Sequence, residues 1–120
     1  MLAHIQSCLP EEGCGILAGR GDQVERVIPI TNELHSPVRF RMAPREQLDA
    51  LIWLDDHHAD LTAIFHSHPG GPPFPSETDL AEFFYPESAA LILSPLGGGW
   101  QMRAFRVRGR EATEIEIVRT

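Results

Sequence analysis

Two imidazoles, a hydroxyl and a carboxylate fall close together in this chain: His66-Ser67-His68-Pro69, then Ser76 and Asp79 within Pro75-Ser76-Glu77-Thr78-Asp79. The apolar, β-prone Ala63-Ile64-Phe65 runs into them. In a strand the i and i+2 side chains leave the same face, so His66 and His68 point together. The Pro/Gly-rich loop from Pro69 to Pro75 then breaks the strand, and Ser76-Glu77-Thr78-Asp79 before Leu80-Ala81-Glu82-Phe83-Phe84 reads as a helix start. That return brings Asp79 back over the two histidines. Two nitrogens and one oxygen facing one point suit zinc, which in catalytic sites keeps its fourth tetrahedral position for water. The same donor set serves non-haem Fe(II) oxygenases; the helices here argue against the all-β barrels that usually carry those sites.

Chance explains the histidine pair but not the whole set. His, Ser and Asp each occur six times in 120 residues, so a bare His-x-His is expected roughly 0.3 times at random. Requiring a Ser and an Asp at fixed later offsets lowers that to roughly 0.0007.

The pattern of His66-Ser67-His68-Pro69 followed by Ser76 and Asp79 resembles the signature of the JAMM/MPN+ (Mov34) metallopeptidases, in its compact prokaryotic stand-alone type. Upstream, Pro10-Glu11-Glu12-Gly13-Cys14-Gly15-Ile16-Leu17-Ala18-Gly19 is similar to that family's Glu before Cys-Gly and a short apolar strand, with Glu12 at the matching place. The resemblance implies His66, His68 and Asp79 as zinc ligands and Glu12 as general base to the bound water. It implies Ser76 as a hydroxyl donor near the oxyanion of the tetrahedral intermediate. Ser76 three residues ahead of an acid is also what an N-cap looks like, and the two roles are compatible. The implied reaction is hydrolysis of a peptide or isopeptide bond at the Gly-Gly C-terminus of a ubiquitin-like or sulfur-carrier protein, with that carrier as partner. An extended tail could add to an exposed sheet edge beside the site. The alternative from another class is a non-catalytic MPN-type scaffold.

Other chemistry-bearing residues have plainer readings. Ser67 should point to the opposite strand face, as packing or support for the ligands. His57 and His58 end a helical pattern, where imidazoles favour the dipole, and are excluded as ligands. His4 and His35 have no partners at ligand spacing. Cys8 and Cys14 read as thiols, Cys14 as a small buried residue behind Glu12. Arg103, Arg106, Arg108 and Arg110 read as a half-solvated strand face, the rival being a positive ribbon that receives an acidic carrier.

The elements that must position these groups follow from pattern. A helix ends near Cys8; strands span Gly15 to Arg20 and Val24 to Ile30 around a Gly21-Asp22 turn. A short strand from Arg39 to Met42 precedes a helix from Pro44 to His57 and the metal-bearing strand from Leu61 to His68. A helix from Ser76 to Phe84 follows, then strands from Ala89 to Leu93, Trp100 to Val107 and Thr113 to Val118. Such an order implies an α/β fold, a mixed β-sheet with flanking helices, as the resemblance also implies through the JAMM/MPN fold with its cytidine deaminase-like architecture. The family usually has a strand before its first helix, so an edge strand is expected to be missing or supplied by a partner. With 120 residues and 42% hydrophobic content, residues 1–120 fit one domain. A net charge of −7 opposes binding to nucleic acid or anionic lipid. No apolar run resembles a signal or membrane span, and a reduced, cytoplasmic protein is expected. All ten basic residues are Arg, which reads as compositional bias.

Overall fold

Six strands hydrogen-bond into one mixed sheet in the computed structural model, which describes residues 1–118. In chain order the elements are α1 (Leu2–Cys8), β1 (Cys14–Arg20), β2 (Gln23–Ile30), α2 (Pro44–Asp56), β3 (Asp60–Ser67), α3 (Glu77–Glu82), β4 (Ala89–Leu96), β5 (Gly99–Arg108) and β6 (Glu111–Ile115). The strand order is β2-β1-β3-β4-β5-β6. Every neighbouring pair is antiparallel except β3 and β4, which run parallel across α3. The parallel step needs a crossover rather than a hairpin, and that crossover carries Asp79 back to the end of β3.

The strand period sorts the core into two layers. On one face Cys14, Ile16, Ala18 and Ile64 pack with Ile30 and Met42 beneath Ala50 and Leu54 of α2. On the other, Leu17, Ala63, Phe65, Leu91, Leu93 and Ala104 pack with Ile5 of α1. His4 of α1 holds that helix in place, its Nε2 lying 3.1 Å from the Cys14 carbonyl. Gly13 has no room for a side chain, since a Cβ there would stand 3.0 Å from the Ile5 Cα.

Three expected elements are corrected. The segment Arg39 to Met42 is not a strand. Only an isolated bridge joins Asn32 to Met42, because the Asn32 side chain takes the Arg39 carbonyl and the Arg41 N–H that a neighbouring strand would need. The final strand starts and ends earlier, at Glu111 and Ile115, because Gly109 (φ 63°) and Arg110 form a tight hairpin turn that registers Arg108 with Glu111. The helix after Ser76 ends at Glu82, where Phe83 turns to extended backbone and packs into the α2-side core.

The free edges are β2 and β6, and neither carries a residue of the expected site. β3 is interior, so a partner strand cannot pair directly beside the histidines.

Candidate metal centre

β3 ends at Ser67, and His68 continues the line of the strand, its N–H donating to the Leu93 carbonyl of β4 at 2.8 Å. His66 and His68 therefore share a face, and both are buried. Asp79 arrives from the first turn of α3. Ser76 is the N-cap of this helix: its Oγ accepts the Asp79 N–H at 3.0 Å, while its own N–H donates to Asp79 Oδ2 at 2.9 Å. That capping box fixes the carboxylate as it satisfies the helix end.

The three side chains meet in a nearly equilateral triangle. His66 Nε2 is 3.0 Å from His68 Nε2, and Asp79 Oδ2 is 3.1 Å from the first and 3.0 Å from the second. His68 Nδ1 lies 2.7 Å from the Pro72 carbonyl and must donate to it, which leaves Nε2 of the neutral ring as a lone pair. Lone pairs that face one another at this separation call for a cation between them. Zinc ligands held at about 2.0–2.2 Å stand roughly 3.3 Å apart in a tetrahedron, a few tenths of an ångström wider than the triangle found here. The residues present fit such an ion.

Burial holds the His66 imidazole below its usual pKa, against the pull of Asp79. Burial also opposes protonation of His68, but its bonds to Asp79 and the Pro72 carbonyl outweigh it and hold the ring above its usual value. Burial would raise Asp79, yet the two histidines hold it well below the usual carboxylate range.

Glu12 stands across from this triangle, in the segment between α1 and β1. Its carboxylate oxygen and the two imidazole nitrogens lie within 4.8 Å of one another. Oε1 is buried with no hydrogen-bond partner among the described residues. Burial chiefly, with Asp79 adding to it against the pull of His68, pushes this carboxyl from 4.5 up to about 8. A buried carboxyl group with such a raised pKa beside two imidazoles is a candidate for proton exchange.

Sequence reasoning missed or understated three neighbours. Phe40 stacks on the His66 ring, centroids 4.5 Å apart at 25°. Ser67, fully buried, accepts the Gly13 N–H at 2.8 Å and so supports the turn that presents Glu12. Asn32 donates to the Glu12 carbonyl at 3.1 Å. None follows a spacing rule; each acts through contacts distant in sequence. The groups set aside stay aside. His57 turns its Nδ1 to the Trp53 carbonyl at 2.8 Å and stacks on Trp53. His35 lies 3.1 Å from Glu11, and burial pushes the Cys14 thiol up to about 12, far from any nucleophilic use. Arg103 shares a face with Phe105 and Val107 while Arg106 and Arg108 leave the other, so the arginines of β5 form no single ribbon.

A cavity of about 230 Å³ opens beside His66 and Asp79, walled by Phe40, Met42, Ile64, Thr78 and Phe83.

A family model described as "Prokaryotic homologs of the JAB domain" matches residues 1–108. The chain belongs to this family. The CysO-cysteine peptidase of Mycobacterium tuberculosis is 32% identical over 120 residues, covering 98% of this chain and 82% of that one. The desampylase of Haloferax volcanii is 33% identical over 111 residues, covering 90% of this chain and 78% of that one. Among solved structures, a protein from Desulfitobacterium hafniense superposes with a TM-score of 0.86 at 38% identity, covering 98% and 84% of the two chains. A JAB1/MPN domain protein from Archaeoglobus fulgidus, at 22% identity, a TM-score of 0.59 and coverage of 97% and 86%, shares the fold. The chain is thus related to proteins named as a peptidase and a desampylase, and its mixed α/β sheet is that of the JAB1/MPN fold.

Proposed function

We propose that this chain is a zinc-dependent hydrolase that cuts peptide or isopeptide bonds at the Gly-Gly C-terminus of a ubiquitin-like or sulfur-carrier protein. The observation that carries the reading is the triangle of His66, His68 and Asp79 lone pairs facing the buried, unpartnered carboxylate of Glu12. The relatives' names support the substrate class, since they denote peptidases of carrier conjugates.

His66 Nε2, His68 Nε2 and Asp79 Oδ2 would hold the ion. When bound, zinc supplies a Lewis acid and brings the pKa of water from about 16 to about 7. Glu12 takes the proton of the attacking water on its carboxylate and later delivers it to the departing amine. Its burial suits both acts, because a carboxyl whose pKa lies near neutrality releases a proton about as readily as it accepts one. Ser76 keeps its Oγ lone pair on the Asp79 N–H, which leaves its O–H free to donate to the oxygen that gains charge. The cavity walled by Phe40, Met42 and Phe83 gives an extended tail a place beside His66 without pairing to an interior strand.

Elemental analysis alongside cleavage of a carrier fused through its Gly-Gly tail tests this, comparing wild type with Glu12→Ala and Asp79→Ala. One zinc per chain, activity lost in both variants, and zinc retained in Glu12→Ala is the expected result. A folded wild type that takes up no zinc would leave the scaffold reading standing. Survival of the carrier conjugate while unrelated short peptides are cut would overturn the substrate class.

A further inference from the structure

Resting on that hydrolase reading, we infer that Asn32 is the positioning residue of Glu12, the group that holds the general base at its working place.

The carboxylate of Glu12 does not fix itself through Oε1, which has no hydrogen-bond partner among the described residues. Its place is therefore set by its main chain, which lies in neither helix nor strand. Two clamps hold that main chain. From β3, Ser67 accepts the Gly13 N–H at 2.8 Å and donates its own N–H to the Gly13 carbonyl at 3.0 Å. From the other side, Asn32 Nδ2 donates to the Glu12 carbonyl at 3.1 Å, and the Ser36 carbonyl accepts the Glu12 N–H at 2.8 Å.

The second clamp depends on one carboxamide. Asn32 is buried, only 4% exposed, and Nδ2 also donates to the Arg39 carbonyl at 3.0 Å and, at 3.5 Å, to the Ser36 carbonyl. Its Oδ1 accepts the N–H groups of Leu34 and Arg41, each at 3.1 Å. Both amide hydrogens and both oxygen lone pairs are thus engaged. These bonds fold residues 32–42 into the strap that presents the Ser36 carbonyl to Glu12 and lays Phe40 on His66. One buried side chain thus sets the main chain that carries the proposed base. A displacement of about 1 Å at a catalytic group costs on the order of 10²-fold in rate, which is the scale on which this clamp acts.

The test is Asn32→Asp, which keeps the oxygen facing Leu34 and Arg41 but turns an anion toward the Glu12 and Arg39 carbonyls. With Asn32→Ser as its uncharged companion, it is placed in a double-mutant cycle with Glu12→Gln. The expected outcome is a loss in kcat of about 10²-fold with KM and bound zinc unchanged in the wild-type background, and no further loss in the Glu12→Gln background. Hydrogen exchange supplies the readout apart from activity: in the zinc-free protein the amides of Glu12 and Gly13 exchange faster in the variants, while those of β4 and β5 keep their rates. Equal losses in both backgrounds, or unaltered exchange at Glu12 and Gly13, would show Asn32 to be a general fold element and overturn the inference. If wild type cuts no carrier conjugate, the hydrolase reading fails while the exchange rates still judge the clamp.

Discussion

His66, His68 and Asp79 hold one another by direct contact of 3.0–3.1 Å between side-chain atoms, whereas Glu12 is held through its backbone, its Oε1 finding no hydrogen-bond partner among the described residues. The three side chains of the proposed ligand half depend on one another, so that removing Asp79 takes away the acceptor the two histidines share. The proposed base half has no such bond at its buried Oε1 among the described residues, which suits a group proposed to take and return a proton. The difference teaches that the two halves should fail in different ways: the first by losing the ion, the second by losing rate alone.

The largest break in that comparison is His66→Ala. It removes a ligand and leaves Phe40 stacked on nothing. Zinc affinity should fall by more than about 10³-fold, given that even outer partners of metal ligands cost 10–100-fold, and cleavage should vanish with it. Isothermal titration with zinc reads the loss. Affinity within threefold of wild type would remove His66 from the ligand set.

Glu12→Gln is the counterpart on the other side. Zinc should stay bound while kcat drops by about 10²–10⁴-fold. The same substitution has a signature in the zinc-free protein. The folded pKa of Glu12, about 8, lies above its ordinary 4.5, so the folded state binds the proton more tightly than the unfolded chain. Stability from this group is full below pH 4.5 and is lost as pH rises through about 8, by at most about 5 kcal/mol. Urea unfolding of chelated wild type should therefore weaken between those pH values, and Glu12→Gln should flatten that slope. A slope that survives the substitution would assign it to another group.

Between the two halves stands Ser76, with a foot in each role. Ser76→Ala removes the N-cap of α3 and should cost about 1 kcal/mol of stability. Should its O–H also meet the oxyanion, kcat falls by a further 10²–10³-fold at constant zinc content, on the order of one lost oxyanion donor. Stability loss with an unchanged kcat would make the residue a cap and nothing more.

The ligand half was legible because it is local: a strand period placed His66 with His68, and a helix start returned Asp79 within one crossover. Glu12 was reached only through resemblance, since nothing in its own neighbourhood shows that β1 and β3 pair to bring Cys14 beside His66. Asn32 was illegible for a stronger reason. Its worth lies in five backbone groups that come from both sides of it in the chain, and no residue type or spacing announces such a hub. The same carboxamide explains the misread strand at Arg39 to Met42, whose backbone bonds it takes for the strap. The overlooked turn at Gly109-Arg110, by contrast, was there to be read as a glycine-marked hairpin.

The smallest effect sharpens the comparison by extending it to the two faces of β5. Arg103 shares the face of Phe105, and its guanidinium sits 5.0 Å over the Phe74 ring of the loop that links His68 to α3. It also pairs with Glu114 at 3.4 Å. Arg106 leaves the opposite face and spends a donor on the Glu87 carbonyl at 2.9 Å; Arg108 is exposed. Removing Arg106 and Arg108 together should change stability by about 0.5 kcal/mol at most and leave cleavage of both a carrier conjugate and a short peptide within twofold. Arg103→Ala should instead act on the site's own face, loosening Phe74 and raising KM several-fold with zinc affinity unchanged. A fall confined to the conjugate in the Arg106/Arg108 variant would mean that the carrier docks on the far face, and that the side of the sheet away from the ligands also takes part in recognition.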